Sequence, residues 1–247
     1  MLVNIEQKIF VITGSSRGIG AALAYRVAVE GGRVVINYNE SKADAVMLAS
    51  KIKNAGGDAI IVKADVTKEN EVKIMYEKVL EEYGRVDILI NNAGILCDSN
   101  IANMEYEKWK KVVDVNLSGC FLCCKYFSKN MIQNKQGKII NIGSFKGQVG
   151  TANQINYTTS KSALVGFTKT LAREFGAYNV SVNCICPGFI KTDLNKFCKK
   201  KETKAKEQSL MNLDYTLENL LNYIVLLSSD KIDGVSGQIF NIDSRVI

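Results

Sequence analysis

The chain has 247 residues, 47% of them hydrophobic and 23% charged, with a mean hydropathy of -0.01. A chain of this kind can bury a large core, which excludes disorder, collagen-like repeats and coiled coil. It carries a formal net charge of +7 and no histidine, and the missing histidine removes serine–histidine triads, cysteine–histidine pairs and HExxH metal sites together.

Acid–base chemistry near neutral pH therefore falls to a lysine, tyrosine, cysteine or carboxylate retuned by a neighbour. The length suits one α/β unit, so residues 1–247 are read as a single domain. Apolar stretches fall well short of the roughly 18 residues of a membrane span. Glu6 and Lys8 interrupt any signal-like start, so a soluble, cytoplasmic protein is expected. Seven cysteines in such a setting read as reduced thiols; Cys120, Cys123 and Cys124 lie in an apolar helical stretch, and Cys184 and Cys186 share one face at strand spacing.

In chain order, the first strand is expected at Ile9–Thr13, followed by Gly14-Ser15-Ser16-Arg17-Gly18-Ile19-Gly20 and a helix over 18–30. Glycines between a strand and a helix allow a tight turn and let phosphates approach backbone N–H groups at the helix N-terminus. A second strand, Val34–Asn37, ends in Asn37-Tyr38-Asn39, with no carboxylate until Glu40. A helix over 41–55 leads to a third strand, Ala59–Lys63, and then to Asp65-Val66. A helix over 68–83 precedes a fourth strand, Ile88–Asn91, which closes on Asn91-Asn92-Ala93-Gly94.

One long helix over 105–133 carries Asn116, and the fifth strand, Lys138–Ile142, is followed by Ser144. The helix over 156–176 holds Tyr157 and Lys161, and a sixth strand, Val180–Ile185, runs into Pro187-Gly188. A lysine-rich stretch over 196–206, a helix over 216–228 and a last strand, Gln238–Ile242, complete the chain. Strands alternating with helices, several of them apolar on both faces, predict a doubly wound parallel seven-stranded sheet with helices on both sides.

Tyr157 and Lys161 stand four apart on one helix face, so the ammonium can sit beside the phenol and favour its phenolate. Here is the retuned acid that the missing histidine demands. Ser144, at a strand end, can donate a hydrogen bond to a carbonyl oxygen as charge develops on it. No metal is needed for either role.

The GxxxGxG loop, the NNAG strand end, the serine, the YxxxK pair and the PG segment occur in this order from about residue 8 to residue 242, and so placed they resemble the short-chain dehydrogenase/reductase family. Segments 14–20, 91–94, 139–144 and 187–192 look most like its 3-oxoacyl-acyl-carrier-protein reductases. The resemblance implies a Rossmann-type fold and reduction of a ketone to a secondary alcohol by hydride transfer from NAD(P)H. The implied catalytic set is Asn116, Ser144, Tyr157 and Lys161, with Asn116 holding a water in a proton relay that ends at Lys161.

For the cofactor, the same resemblance implies Gly14, Ser16, Arg17, Gly18, Ile19 and Gly20 at the phosphates, and Asn39, Asp65 and Val66 toward the adenosine. Asn92, Ala93, Gly94, Tyr157, Lys161, Pro187, Gly188, Ile190 and Thr192 are assigned to the channel and the nicotinamide. Without a carboxylate at the end of the second strand, and with Arg17 able to face a 2′-phosphate, NADP(H) is favoured over NAD(H).

Departures from the family begin after Leu194, in a variable substrate lid at about 193–216, and end at Asp243-Ser244-Arg245, where the family usually has Asp-Gly-Gly. The lysine run Lys196, Lys199, Lys200, Lys201, Lys204 and Lys206 reads either as the solvated face of a lid helix or as a charge that attracts an anionic thioester or an acyl carrier protein, which would also lean on Lys135. No nucleic-acid or membrane partner is expected. A homo-oligomer is expected, a tetramer or else a dimer, pairing the helices over 105–133 and 156–176 through Phe121, Leu122, Leu164, Phe167 and Leu171. A sugar, steroid or other small secondary alcohol stays open as the substrate, and so does a non-catalytic nucleotide-binding scaffold.

Overall fold

Strands whose side chains are apolar on both faces can only be buried between two helical layers. The computed structural model describes residues 4–191, 199–211 and 216–245. Among these, seven strands form: β1 (Ile9–Ile12), β2 (Arg33–Tyr38), β3 (Asp58–Lys63), β4 (Ile88–Asn91), β5 (Gly137–Ile142), β6 (Val180–Pro187) and β7 (Ile239–Ile242). They make one parallel sheet in the order β3-β2-β1-β4-β5-β6-β7.

Period-2 alternation distributes each strand between two cores. Phe10, Ile12, Val34, Ile36, Ile88 and Ile90 face one side, where α1 (Gly18–Val29), α2 (Lys42–Asn54) and α9 (Thr216–Ser228) cover them. Ile9, Val11, Val35, Leu89 and Ile139 face the other, under α3 (Glu69–Tyr83), α5 (Gly119–Gln133) and α7 (Ile155–Phe175). Each fully buried side chain of this size contributes about 1.5–3 kcal/mol relative to exposure. No helix among the described residues is long and apolar enough to cross a membrane.

All seven expected strands form, with ends shifted by a residue or two. The helix expected over 105–133 is not continuous: α4 (Tyr106–Val113) passes through a π turn at Asp114–Ser118 before α5 begins. That widened turn carries Asn116, which is fully buried and bonded to Ile95 and Ser160, and Gly119 beside it packs against Val66. Two further helices arise, α6 (Lys146–Val149) and α8 (Lys199–Glu207). Lys196 of the lysine run lies outside the described residues. The stretch that follows it is rich in lysine, glutamate and alanine, which favour helix, and a Glu202–Lys206 pair at 3.3 Å spans one turn of it.

Cys120, Cys123, Cys124, Cys184 and Cys186 are buried packing residues. Burial pushes the Cys120 thiol up to about 11 and raises Cys123 and Cys124 as well, which leaves them protonated and unreactive. Of the five apolar positions expected at a subunit contact, Leu164 is buried in the protomer's own core and Leu122, Phe167 and Leu171 pack against it. Phe121 is half exposed.

Candidate active site

The chain leaves β1 toward β2 on one side and reaches β4 on the other, so the strand order reverses between β1 and β4. A crevice opens beyond the carboxyl ends of strands at such a point. Here it is a cleft of about 1320 Å3.

Gly14, at φ +60°, turns the chain out of β1, and a Cβ there would stand 2.9 Å from Ala93 Cα. Only glycine lets the first loop and the NNAG loop come this close. Ser16, Arg17, Gly18 and Ile19 line the cleft where α1 begins, and Arg17 caps that helix without a side-chain hydrogen bond. Its first N–H groups therefore have no side-chain cap, as an anion site requires.

Thr13 and Asn92 join the two loops. Thr13 Oγ1 accepts from the N–H groups of Asn92 and Ala93, both at 3.0 Å, while Asn92 Nδ2 donates to Thr13 O at 2.8 Å. Gly20 does not line the cleft. It is buried, and a Cβ on it would stand 2.5 Å from Asn92 Nδ2, so its role is close packing beneath the loop.

Toward the other end of the glycine loop, Asn37 Oδ1 accepts from Gly14 N at 3.0 Å, and Asn37 Nδ2 donates to Ala64 O at 3.0 Å. Tyr38, Asn39, Glu40, Asp65 and Val66 line the wall beyond it, with Arg17, Asn39 and Glu40 exposed. One carboxylate oxygen of Asp65 accepts from Thr67 N at 3.0 Å and Thr67 Oγ1 at 2.8 Å, which fixes the turn after β3.

Ser144, Tyr157 and Lys161 line the opposite end of the same cleft, together with Asn92, Ala93, Gly94, Pro187, Gly188 and Ile190. Ser144 follows β5, and its Oγ accepts from Lys146 N at 3.2 Å, which leaves its own proton available to a ligand. Lys161 is buried; Nζ donates to Ile142 O at 2.7 Å and lies 5.9 Å from the centroid of the Tyr157 ring.

Asn116 does not line the cleft but stands directly behind it. Its Oδ1 accepts from Ile95 N at 2.8 Å, and its Nδ2 donates to Ser160 Oγ at 3.1 Å. Thr192 lies outside the described residues. Several lining residues had no motif to announce them: Phe145 and Lys146 beside Ser144, Ala205 in α8 and Gln208 just after it, and Arg245 near the C-terminal end. In the sequence, only the departures from the family over 193–216 and at Asp243-Ser244-Arg245 mark any of them.

A nicotinamide dinucleotide fits these residues on structural grounds. Two loops approach each other through Gly14, just before the N-terminus of α1, and a Cβ on Gly94 would stand 3.3 Å from Asn116 Oδ1, with Lys161 Nζ next at 3.6 Å. Fold and cleft together define a dinucleotide-dependent oxidoreductase.

A family model described as short chain dehydrogenase matches residues 8–203. The chain is 38% identical over 251 aligned residues to a 3-oxoacyl-[acyl-carrier-protein] reductase of Synechocystis sp., covering 100% of this chain and 99% of the relative. A reductase of the same name from Staphylococcus epidermidis is 36% identical, covering 94% of this chain and 96% of the relative. Among solved structures, a provisionally named gluconate dehydrogenase from Agrobacterium tumefaciens superposes with a TM-score of 0.91 at 32% identity, over 98% of this chain and 96% of that one. A provisionally named short-chain alcohol dehydrogenase from Sinorhizobium meliloti 1021 gives 0.92 at 27% identity, over 98% of this chain and 96% of that one. The chain belongs to the short-chain dehydrogenase/reductase family, and it is an oxidoreductase that works with a nicotinamide cofactor.

Proposed function

We propose that this enzyme reduces a ketone to a secondary alcohol with NADPH, and that 3-oxoacyl thioesters are its substrates. The observation that carries the reading is the meeting of Ser144, Tyr157 and Lys161 with the glycine loop in one cleft. The curated relatives are named for 3-oxoacyl-acyl-carrier-protein reduction, which supports the thioester.

When bound, the nicotinamide supplies a hydride to the carbonyl carbon. Ser144 donates its free proton as a hydrogen bond to the carbonyl oxygen and orients it. Tyr157 gives its phenolic proton to that oxygen as charge develops there, with Lys161 Nζ 5.9 Å from the centroid of its ring. Lys161 keeps its place through the carbonyl of Ile142. Asn116 holds Ile95 and Ser160, and thereby the walls around Gly94 and Lys161, so its share in a proton relay ending at Lys161 is to position the groups around it.

A panel assay of NADPH oxidation tests the substrate. Acetoacetyl thioesters are expected to give the highest kcat/KM, above sugar ketones and small neutral ketones. A higher value with a sugar ketone would favour the second reading, a sugar or polyol dehydrogenase, which the solved gluconate dehydrogenase at 32% identity supports. No turnover with any carbonyl would leave the scaffold reading, against which the complete serine, tyrosine and lysine set speaks. A cytoplasmic homo-oligomer is part of the same proposal.

For the cofactor, the exposed Arg17 and the lack of a carboxylate between Asn37 and Asn39 support NADPH. Arg17→Ala is expected to reduce the preference for NADPH over NADH by about tenfold, close to 1.4 kcal/mol, and added salt should shrink it in the wild type. Tyr38 is buried, so the missing carboxylate is better introduced at the exposed Asn39; Asn39→Asp should move preference toward NADH. Equal kcat/KM for the two cofactors in the wild type at low salt counts against the assignment.

A further inference from the structure

The chain places a guanidinium, that of Arg245, in the cleft over the ring of Phe145, a hundred residues earlier in the sequence. Arg245 lines the cleft, and its side chain is only 10% exposed. Its guanidinium carbon lies 4.1 Å from the centroid of the Phe145 ring, and Phe145 is the residue directly after Ser144. Nε donates to Asp243 Oδ2 at 2.8 Å, a second nitrogen pairs with the same oxygen, and the Arg245 N–H donates to Asp243 Oδ1 at 2.9 Å. The Asp243 side chain is fully buried. It is pressed so closely on Gly188 that a Cβ at that position would overlap the carboxylate.

A cation already neutralised by a buried carboxylate has little charge left for a ligand, but its planar face and fixed fork suit it to hold two loops together. The two loops are those that flank the reacting atoms in the proposed function. Phe145 N donates to Pro187 O at 3.0 Å, and Gly188 N donates to Ile242 O at 3.1 Å, so the serine loop, the Pro187–Gly188 segment and β7 already share one network.

Ser244, between the two ionic residues, extends the network to the lid. It pairs with the Ser209 hydroxyl, its Oγ accepts from Met211 N at 3.2 Å, and its carbonyl accepts from Leu210 N at 3.4 Å.

We propose that Arg245 is a positioning residue. Stacked on Phe145 and anchored by Asp243, it sets the Ser144 loop against the Pro187–Gly188 segment, while Ser244 ties both to the end of the lid. The proposal rests on the proposed role of Ser144, and its test has one arm that does not depend on any substrate.

In that arm, amide hydrogen exchange is compared between the wild type and Arg245→Met, which keeps the length of the side chain without its fork. Exchange should quicken together in the segments around 143–147, at Gly188 and around 209–211, with the rest of the sheet unchanged. Unaltered exchange in those segments overturns the proposal whatever the substrate proves to be.

The kinetic arm uses the carbonyl compound that the wild type reduces best. Arg245→Met should lower kcat on the order of ten- to hundredfold, as misplacement of a reacting group does, with NADPH affinity by fluorescence titration nearly unchanged. Phe145→Leu should lose about as much, and the double variant should be no worse than the poorer single one, because both remove one stacked pair. Arg245→Lys, which keeps a cation but not the fork, should fall between, and it serves in both arms if Arg245→Met does not fold. Fully additive losses overturn the proposal, and so does a rise in KM confined to anionic thioesters with kcat intact, which would make Arg245 a contact for substrate charge.

Discussion

Tyr157→Phe is expected to abolish measurable turnover, a loss on the order of a hundred- to ten-thousandfold, while NADPH still binds with nearly wild-type affinity. The change removes the proposed proton donor and keeps the ring that lines the cleft, so the missing activity cannot be charged to a collapsed site. Lys161→Ala should behave differently. Its ammonium is buried, is bonded to Ile142 O at 2.7 Å and lies near both Tyr157 and Gly94, so its removal should cost activity and cofactor affinity together. Steady-state kinetics on the best ketone and fluorescence titration with NADPH separate the two patterns. A purified Tyr157→Phe enzyme with wild-type kcat would end the catalytic assignment.

Gly20→Ala is expected to cost stability through a single added methyl group. The added Cβ would stand 2.5 Å from Asn92 Nδ2, 2.8 Å from Ser15 Cα and 2.9 Å from Gly14 O. Two of these three are backbone atoms of the glycine loop, which cannot step aside as a flexible side chain would. Overpacking of this kind costs about 1–3 kcal/mol, and here it also pushes apart the loops that Asn92 and Thr13 join. Thermal unfolding should therefore occur at a lower temperature, and NADPH should bind more weakly.

Gly166, inside α7 with nothing within 4 Å of a Cβ, is the internal comparison: Gly166→Ala should raise stability by about 0.5–1 kcal/mol. If Gly20→Ala melts with the wild type, the packing role given to Gly20 is wrong.

The strands and most helices were legible because their signals are local. A run such as Ile9–Ile12 is apolar at every position and can only be central in a sheet, and the helices over 18–30 and 156–176 follow from short-period patterns of apolar residues. The break in the helix expected over 105–133 was not legible. Nothing between Asp114 and Ser118 is a glycine or proline, and the bonds that accompany the π turn reach Ile95 and Ser160, 21 and 44 residues away. Gly20 was assigned to the cofactor because its motif spacing says nothing of which glycine meets the ligand and which meets the neighbouring loop.

By itself the sequence determined a doubly wound sheet, a glycine loop between its first strand and helix, and a tyrosine and a lysine on one helix face in a chain without histidine. Each depends on residues a few positions apart, where backbone geometry alone dictates who is near whom. Tertiary structure decided that the strand order reverses beside that loop, that Asn92 and Thr13 join it to the fourth strand's end, and that Asn116 stands behind the cleft rather than in it. It also decided that Arg245 lies over Phe145. These contacts join residues 21 to 100 positions apart, and they exist only because packing both faces of one sheet brings the ends of its strands, and the tail after the last of them, to a single edge.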